Sequence, residues 1–161
     1  MQLHEGWIGP LTALTAAPAI FFLLGRGGYR TFGVGQSALR MITALPLGVS
    51  GIAHFTRTAM FASIVPPQFS HPGMWVQITG AFELLGFFGL LIPEIARLAS
   101  IGISLLMIAV FPANIYAAGR IVAGIPMPSV PVRLALQTMY VLMVLIGAWG
   151  IPGWRKTGEG M

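Results

Sequence analysis

The amino-acid sequence predicts an all-α, polytopic transmembrane helix bundle: a four-helix core plus one extra transmembrane helix at the N-terminus. Three observations carry this. Of 161 residues, 56% are hydrophobic and 8% charged, whereas a soluble domain carries about 25% charged residues. So few charges cannot cover a surface that faces water. The apolar runs reach about 20 residues, the length a helix needs to cross a bilayer. They are also continuous, without the alternation of barrel strands.

The first apolar stretch runs from Trp7 to Gly25 and holds Pro10 and Pro18. A signal peptide is the competing reading. However, no Lys or Arg precedes the stretch and no clear A-x-A site follows it, which favours a membrane helix. Arg26 to Arg40 is Gly-rich and basic and reads as a loop. The second span covers about Met41 to Ala62, with Pro46 inside, a residue that membrane helices tolerate. SIVPPQFSHPG (63–73) cannot continue a helix, because of its paired prolines and His-Pro. The third span runs from Met74 to Ile92 and breaks at Pro93-Glu94. The fourth covers Ile95 to Ala118. Arg120 to Pro131, with three prolines, reads as a loop, and the fifth span covers Val132 to Ile151. The expected organisation is therefore an N-terminal helix and basic loop (1–36), a four-helix membrane domain (37–153) and a polar cytoplasmic tail (154–161).

Charge sets orientation. Arg26, Arg30, Arg40, Arg97, Arg155 and Lys156 fall on one side of these spans, and Arg57, Arg120 and Arg133 on the other. The positive-inside rule makes the first side cytoplasmic. The N-terminus is then outside and the C-terminus inside. Although the net charge is +5, the basic residues are dispersed among loops, so no nucleic-acid partner is expected. The partner is the lipid bilayer. With no cysteine, disulfides, thiol redox motifs and thiolate metal sites are excluded. Only His54 of three histidines lies well inside a span, which argues against bis-histidine haem, and no metal site is expected. Any redox role must come from a bound small molecule or a partner.

Glu83 is the most informative residue. It is the only charged residue between Thr58 and Pro93. An acid near the bilayer midplane costs several kcal/mol, so it faces the bundle interior and takes a partner. His54, Asn114 and Gln137 are polar groups in similar company on three other helices. Counting about 1.5 Å per residue puts all four at or outside the midplane. Arg57 lies one turn beyond His54 and shares its face. Gly48, Gly51 and His54 follow three-residue steps. Thr79, Glu83 and Gly86 follow i, i+4, i+7, as do Arg133, Gln137 and Tyr140. Small residues beside polar ones suit close helix packing. Together these predict a polar pocket opening toward the outer leaflet, roofed by residues 63–73. The candidate ligand-binding or proton-handling residues are His54, Arg57, Thr79, Glu83, Asn114, Gln137 and Tyr140. The bland alternative is that Asn, Gln and Thr are inter-helix glue and that Glu83 forms a structural pair with His54 or Arg57.

GIAHF (51–55), IVPP (64–67), TGAFELLG (79–86) and FPANIYAAGR (111–120) together resemble the DoxX and DoxX-like membrane proteins. The resemblance covers about Arg40 to Ile151. It implies a four-helix bundle in the bacterial cytoplasmic (inner) membrane. It also implies association with redox proteins, including a subunit linked to thiosulfate:quinone oxidoreduction. The matching positions are His54, Glu83, Pro112, Ala113 and Asn114, and the first span departs from the pattern. Three functions stay open. The first is a redox-associated membrane subunit that binds a quinone or similar lipid-soluble molecule, with a membrane or peripheral redox protein as partner. The second is a non-catalytic assembly or chaperone protein, which could also self-associate as a homo-oligomer. The third is a lipid isomerase like those of the EXPERA group, which the bundle also resembles. The residues leave enzyme and non-enzyme readings both open.

Overall fold

A computed structural model describes residues 32–150. The expected first span, most of the basic loop and the polar tail lie outside the described residues. In chain order the elements are α1 (Phe32–Thr56), α2 (Thr58–Ala62), α3 (Pro72–Leu91), α4 (Ala96–Ala117), β1 (Ile121–Val122), β2 (Ile125–Pro126) and α5 (Val130–Trp149). The four long helices are each long and apolar enough to cross a membrane. Their outward side chains, such as Val49, Leu85, Leu98 and Ile108, are apolar and largely exposed. A monomeric soluble protein rarely exposes apolar patches of this extent, so this is a membrane protein.

Local chemistry explains the breaks. Near the end of α1, Thr56 Oγ1 donates to the Ile52 carbonyl at 3.2 Å and Thr58 Oγ1 to the His54 carbonyl at 2.7 Å. Such back-bonding competes with the helix ladder and bends it. Arg57 leaves helical geometry at φ −129°, ψ 36°. Pro66 and Pro67 then stop the short α2 from extending. The third helix starts at Pro72, where a missing N–H is harmless. It ends before Pro93, whose ring disfavours helical geometry at Ile92. The last helix stops at Gly150, whose φ of 77° suits a residue without Cβ.

Three expectations are corrected. The second span, expected to run unbroken from Met41 to Ala62, stops at Thr56, and Thr58–Ala62 is a separate short helix, because the chain leaves helical geometry at Arg57. The loop expected up to Arg40 is helical from Phe32 onward, nine residues earlier than Met41. Packing overrides the Gly-rich composition here. A Cβ placed on Gly147 would meet Arg40 Cγ at 3.3 Å and Leu39 Cγ at 3.5 Å, so α5 lies directly against this first part of α1. The loop after α4 contains a small antiparallel hairpin, pairing Ile121 with Pro126 and Val122 with Ile125. Its turn residues Ala123 and Gly124 have φ of 50° and 80°, the doubly positive geometry that matches hairpin twist.

The long helices alternate in direction and form a ring: α1 packs on α3 and α5, and α4 packs on the same two. A buried cluster of Ala44, Leu47, Leu90, Ile103 and Val144 fills one half of the ring, nearer the α3–α4 turn. The α1–α3 crossing is the closest approach. A Cβ on Gly80 would stand 2.5 Å from His54 Cβ, and one on Gly51 would stand 3.0 Å from the Gly80 carbonyl. Only glycine allows two backbones this close. The crossing sets His54 of α1 beside the middle of α3.

Candidate functional site

That crossing brings two expected residues together. Glu83 Oε2 lies 3.1 Å from His54 Nδ1, with the two side chains only 12% and 11% exposed. The nitrogen's hydrogen bond goes elsewhere, to the Ser50 carbonyl at 2.8 Å. A carbonyl can only accept, so Nδ1 carries a proton. Glu83 Oε2 therefore sits beside that N–H and not on its axis, a charge contact rather than a hydrogen bond. The same buried oxygen accepts no hydrogen bond among the described residues. A buried unsatisfied carboxylate oxygen is costly and calls for an explanation.

Both residues open onto a cavity of about 300 Å³. Its walls include Ser50 and His54 of α1, Val76, Thr79 and Glu83 of α3, and Met107, Val110, Ala113 and Asn114 of α4. Phe61, Ile64, Val65, Pro66 and Phe69 close one end, so the cavity sits under the 63–71 segment. Irregular backbone at this depth is allowed where it lines a cavity and is covered by protein. The cavity lies at the opposite end of the ring from the buried core. Thr79 Oγ1 is bound to its own helix, at 3.0 Å from both the Trp75 and Val76 carbonyls.

Asn114 joins this wall to a second polar cluster. Arg133 Nη1 donates to Asn114 Oδ1 at 2.8 Å, Asn114 Nδ2 to Gln137 Oε1 at 3.0 Å, and Gln137 Nε2 to the Met107 carbonyl at 3.0 Å. The chain of bonds clamps α4 to α5. Gln137 does not line the cavity, and its bonds and Asn114's are spent within the clamp, on each other, on Arg133 and on the Met107 carbonyl. Tyr140 donates to the Thr43 carbonyl at 2.6 Å, tying α5 to α1. Arg57 is exposed at the α1–α2 junction, and its side chain makes no hydrogen bond or ion pair among the described residues.

Phe61 was not among the expected site residues. Its ring stacks on the imidazole of His54 with centroids 4.2 Å apart and an interplanar angle of 17°. It shields one face of the pair from solvent. A phenylalanine in an apolar run carries no signal of such a role. The turn after Arg57 folds it back onto His54. Trp75 ties the start of α3 to the roof, its indole N–H donating to the Ser70 carbonyl at 3.1 Å.

Residues 43–148 match a family described as a domain of unknown function, DUF8561. The chain belongs to DUF8561. No curated protein and no solved structure matches it. In this DUF8561 member the matched segment holds every residue of the cavity wall and of the α4–α5 clamp. The family's defining stretch and the site thus coincide.

Proposed function

We propose that this protein is an integral membrane subunit whose cavity binds a lipid-soluble small molecule of the quinone class. The observation that carries this is the buried Oε2 of Glu83, which lies 3.1 Å from His54 Nδ1 yet accepts no hydrogen bond among the described residues, in a carboxylate on the wall of a cavity of about 300 Å³. That volume is at the lower end of small-molecule sites, suited to a head group rather than a whole lipid. A hydroxyl of a quinol in the cavity would donate to the Glu83 carboxylate. Glu83 and the adjacent imidazole of His54 would handle the protons that accompany quinone reduction. The electrons would come from a redox protein bound to the membrane domain, because the chain has no cysteine for a thiol or thiolate-held redox centre of its own. A kinship with the DoxX-like proteins is part of the same proposal, resting on GIAHF, IVPP, TGAFELLG and FPANIYAAGR. So is a place in the bacterial cytoplasmic membrane with the cavity end outward. The four basic residues Arg26, Arg30, Arg155 and Lys156, which flank the long helices in sequence at the other end, favour that orientation.

A second reading, a non-catalytic assembly protein, draws on the Arg133–Asn114–Gln137 clamp, whose polar groups are committed to holding helices together. One experiment separates the two. Protein purified in native lipid, as wild type and Glu83→Gln, is extracted with organic solvent and the extracts analysed by mass spectrometry. A quinone or other specific lipid retained by wild type and lost from the variant is the expected result. No ligand in either, with a poorly folded variant, would replace the ligand site with a structural pair.

A further inference from the structure

The cavity has an entrance, and its position says where a ligand comes from. Among all residues lining the cavity, four are exposed: Phe69, Trp75, Ala109 and Pro112. Phe69 and Trp75 form one lip, their rings edge to face with centroids 6.0 Å apart. Ala109 and Pro112 form the other lip on α4. The roof residue Pro66 is buried, and Phe61, Ile64 and Val65 are half-buried, so the covered side is the end of the bundle. The exposed side is the flank between α3 and α4.

The course of these two helices makes such a cleft. They are joined by the tight turn after Leu91 and touch closely near it. Added Cβ atoms on Gly89 and Gly86 would meet Ala99 Cβ at 2.6 Å and Ile103 Cγ1 at 2.7 Å. Farther from the turn the cavity lies between them. Pro112 interrupts the ladder of α4 at this level, since it has no N–H to offer Ile108. Ala109 is eight residues before the end of α4, about 12 Å along the axis at 1.5 Å per residue. The hydrocarbon core is about 15 Å deep per leaflet, so the inner lip lies well below the membrane surface. Its neighbours Leu105 and Ile108 are apolar and exposed.

We propose that the cavity is filled laterally from the bilayer, through the α3–α4 cleft, by an amphiphile. Its polar end reaches Glu83, and its apolar tail leaves between Trp75 and Ala109. This rests on the ligand reading above and adds the route and the shape of the molecule. A small head with a single tail emerging at one point fits. A water-soluble metabolite entering from the end of the bundle does not.

Two carbodiimides test the route on the full chain in liposomes, at one mildly acidic pH and high salt. Each adds to a protonated carboxyl, and rearrangement leaves an N-acylurea whose added mass is that of the whole reagent. Dicyclohexylcarbodiimide partitions into lipid, whereas the ethyl-dimethylaminopropyl analogue stays in water. Peptide mass spectrometry reads Glu83 and, as an aqueous control, the exposed Glu94 of the α3–α4 turn. The apolar reagent should label Glu83 several-fold faster than the aqueous one. Ala109→Phe should slow that labelling several-fold. Gly102→Phe, on the same helix with nothing within 4 Å of an added Cβ, should not. Unchanged Glu94 labelling in both variants shows that reagent delivery is equal, and an unchanged detergent-unfolding midpoint shows that the fold is intact. Equal labelling of Glu83 by both reagents, or no effect of Ala109→Phe, would overturn the route. Failure of the apolar reagent to reach Glu83 would overturn it too, and the solvent extracts would still decide separately whether a ligand is bound.

Discussion

Glu83 stands out in the sequence because its physics is expensive. One carboxylate in a long apolar run must face inward and must meet something. That reasoning also selected His54, which lies within 3.1 Å of it. What it could not supply is how the contact is held. The position of His54 depends on Gly80, whose missing side chain lets α1 approach, and a glycine in a membrane helix reads equally well as packing anywhere on its surface. Gly80→Ala puts a methyl 2.5 Å from His54 Cβ and 3.2 Å from the Gly51 carbonyl oxygen, and neither is the flexible end of a side chain. A cost of about 1–3 kcal/mol is expected from overpacking. Gly102→Ala meets nothing and should be neutral, or should stabilise by up to about 1 kcal/mol through helix propensity. Unfolding in a detergent titration measures both. Equal behaviour of the two variants would mean that the α1–α3 crossing is looser than described.

Hydropathy located the four long helices to within a few residues at most ends, because length and apolar continuity are nearly the whole signal for a span. Besides the break that parts α2 from α1, two elements escaped it, for the same reason. The first turns of α1 are Gly-rich and basic, and the close fit of Arg40 and Leu39 against Gly147 is a tertiary contact that hydropathy does not report. The hairpin at 121–126 rests on two positive φ angles at Ala123 and Gly124, in a stretch whose prolines mark a break but not its form. The polar clamp between α4 and α5 was partly legible, since Asn114 and Gln137 stood out as polar groups within spans. Their partnership was not, because sequence does not give rotation about a helix axis. Asn114→Ala leaves Arg133 Nη1 and Gln137 Oε1 without their partner, and Gln137→Ala frees Asn114 Nδ2 and the Met107 carbonyl. Each should cost about 1–2 kcal/mol, the upper range for inter-helix hydrogen bonds in membranes. Because both substitutions break the same bond, the double variant should cost less than the sum. Strict additivity in unfolding measurements would show that the two side chains act independently.

At the scale of the molecule, the two ends of the ring differ in kind. One end is filled by the Ala44–Leu47–Leu90–Ile103–Val144 cluster and carries Arg97 over the Trp149 ring at 5.2 Å. The other holds the cavity, its roof and the exposed Arg57 and Arg120, the latter 3.6 Å from the Tyr116 ring. Which end faces the cytoplasm decides which compartment lies nearest the protons of Glu83. Within 32–150 the arginines number two at the core end (Arg40, Arg97) and three at the cavity end (Arg57, Arg120, Arg133), so the described helices alone favour the opposite orientation. The proposed one depends on the basic residues at 26, 30, 155 and 156, which are near enough to the spans to count in the positive-inside balance. The absence of native cysteine makes the question answerable with single introduced thiols. Ser70→Cys marks the roof, and Glu94→Cys marks the turn at the core end, both at exposed positions. In intact bacterial cells whose outer barrier admits a charged, membrane-impermeant maleimide, the thiol at 70 should react at once. The thiol at 94 should react only after the inner membrane is opened. The reverse pattern would turn the molecule over, place the roof in the cytoplasm, and show that the terminal charges do not govern insertion.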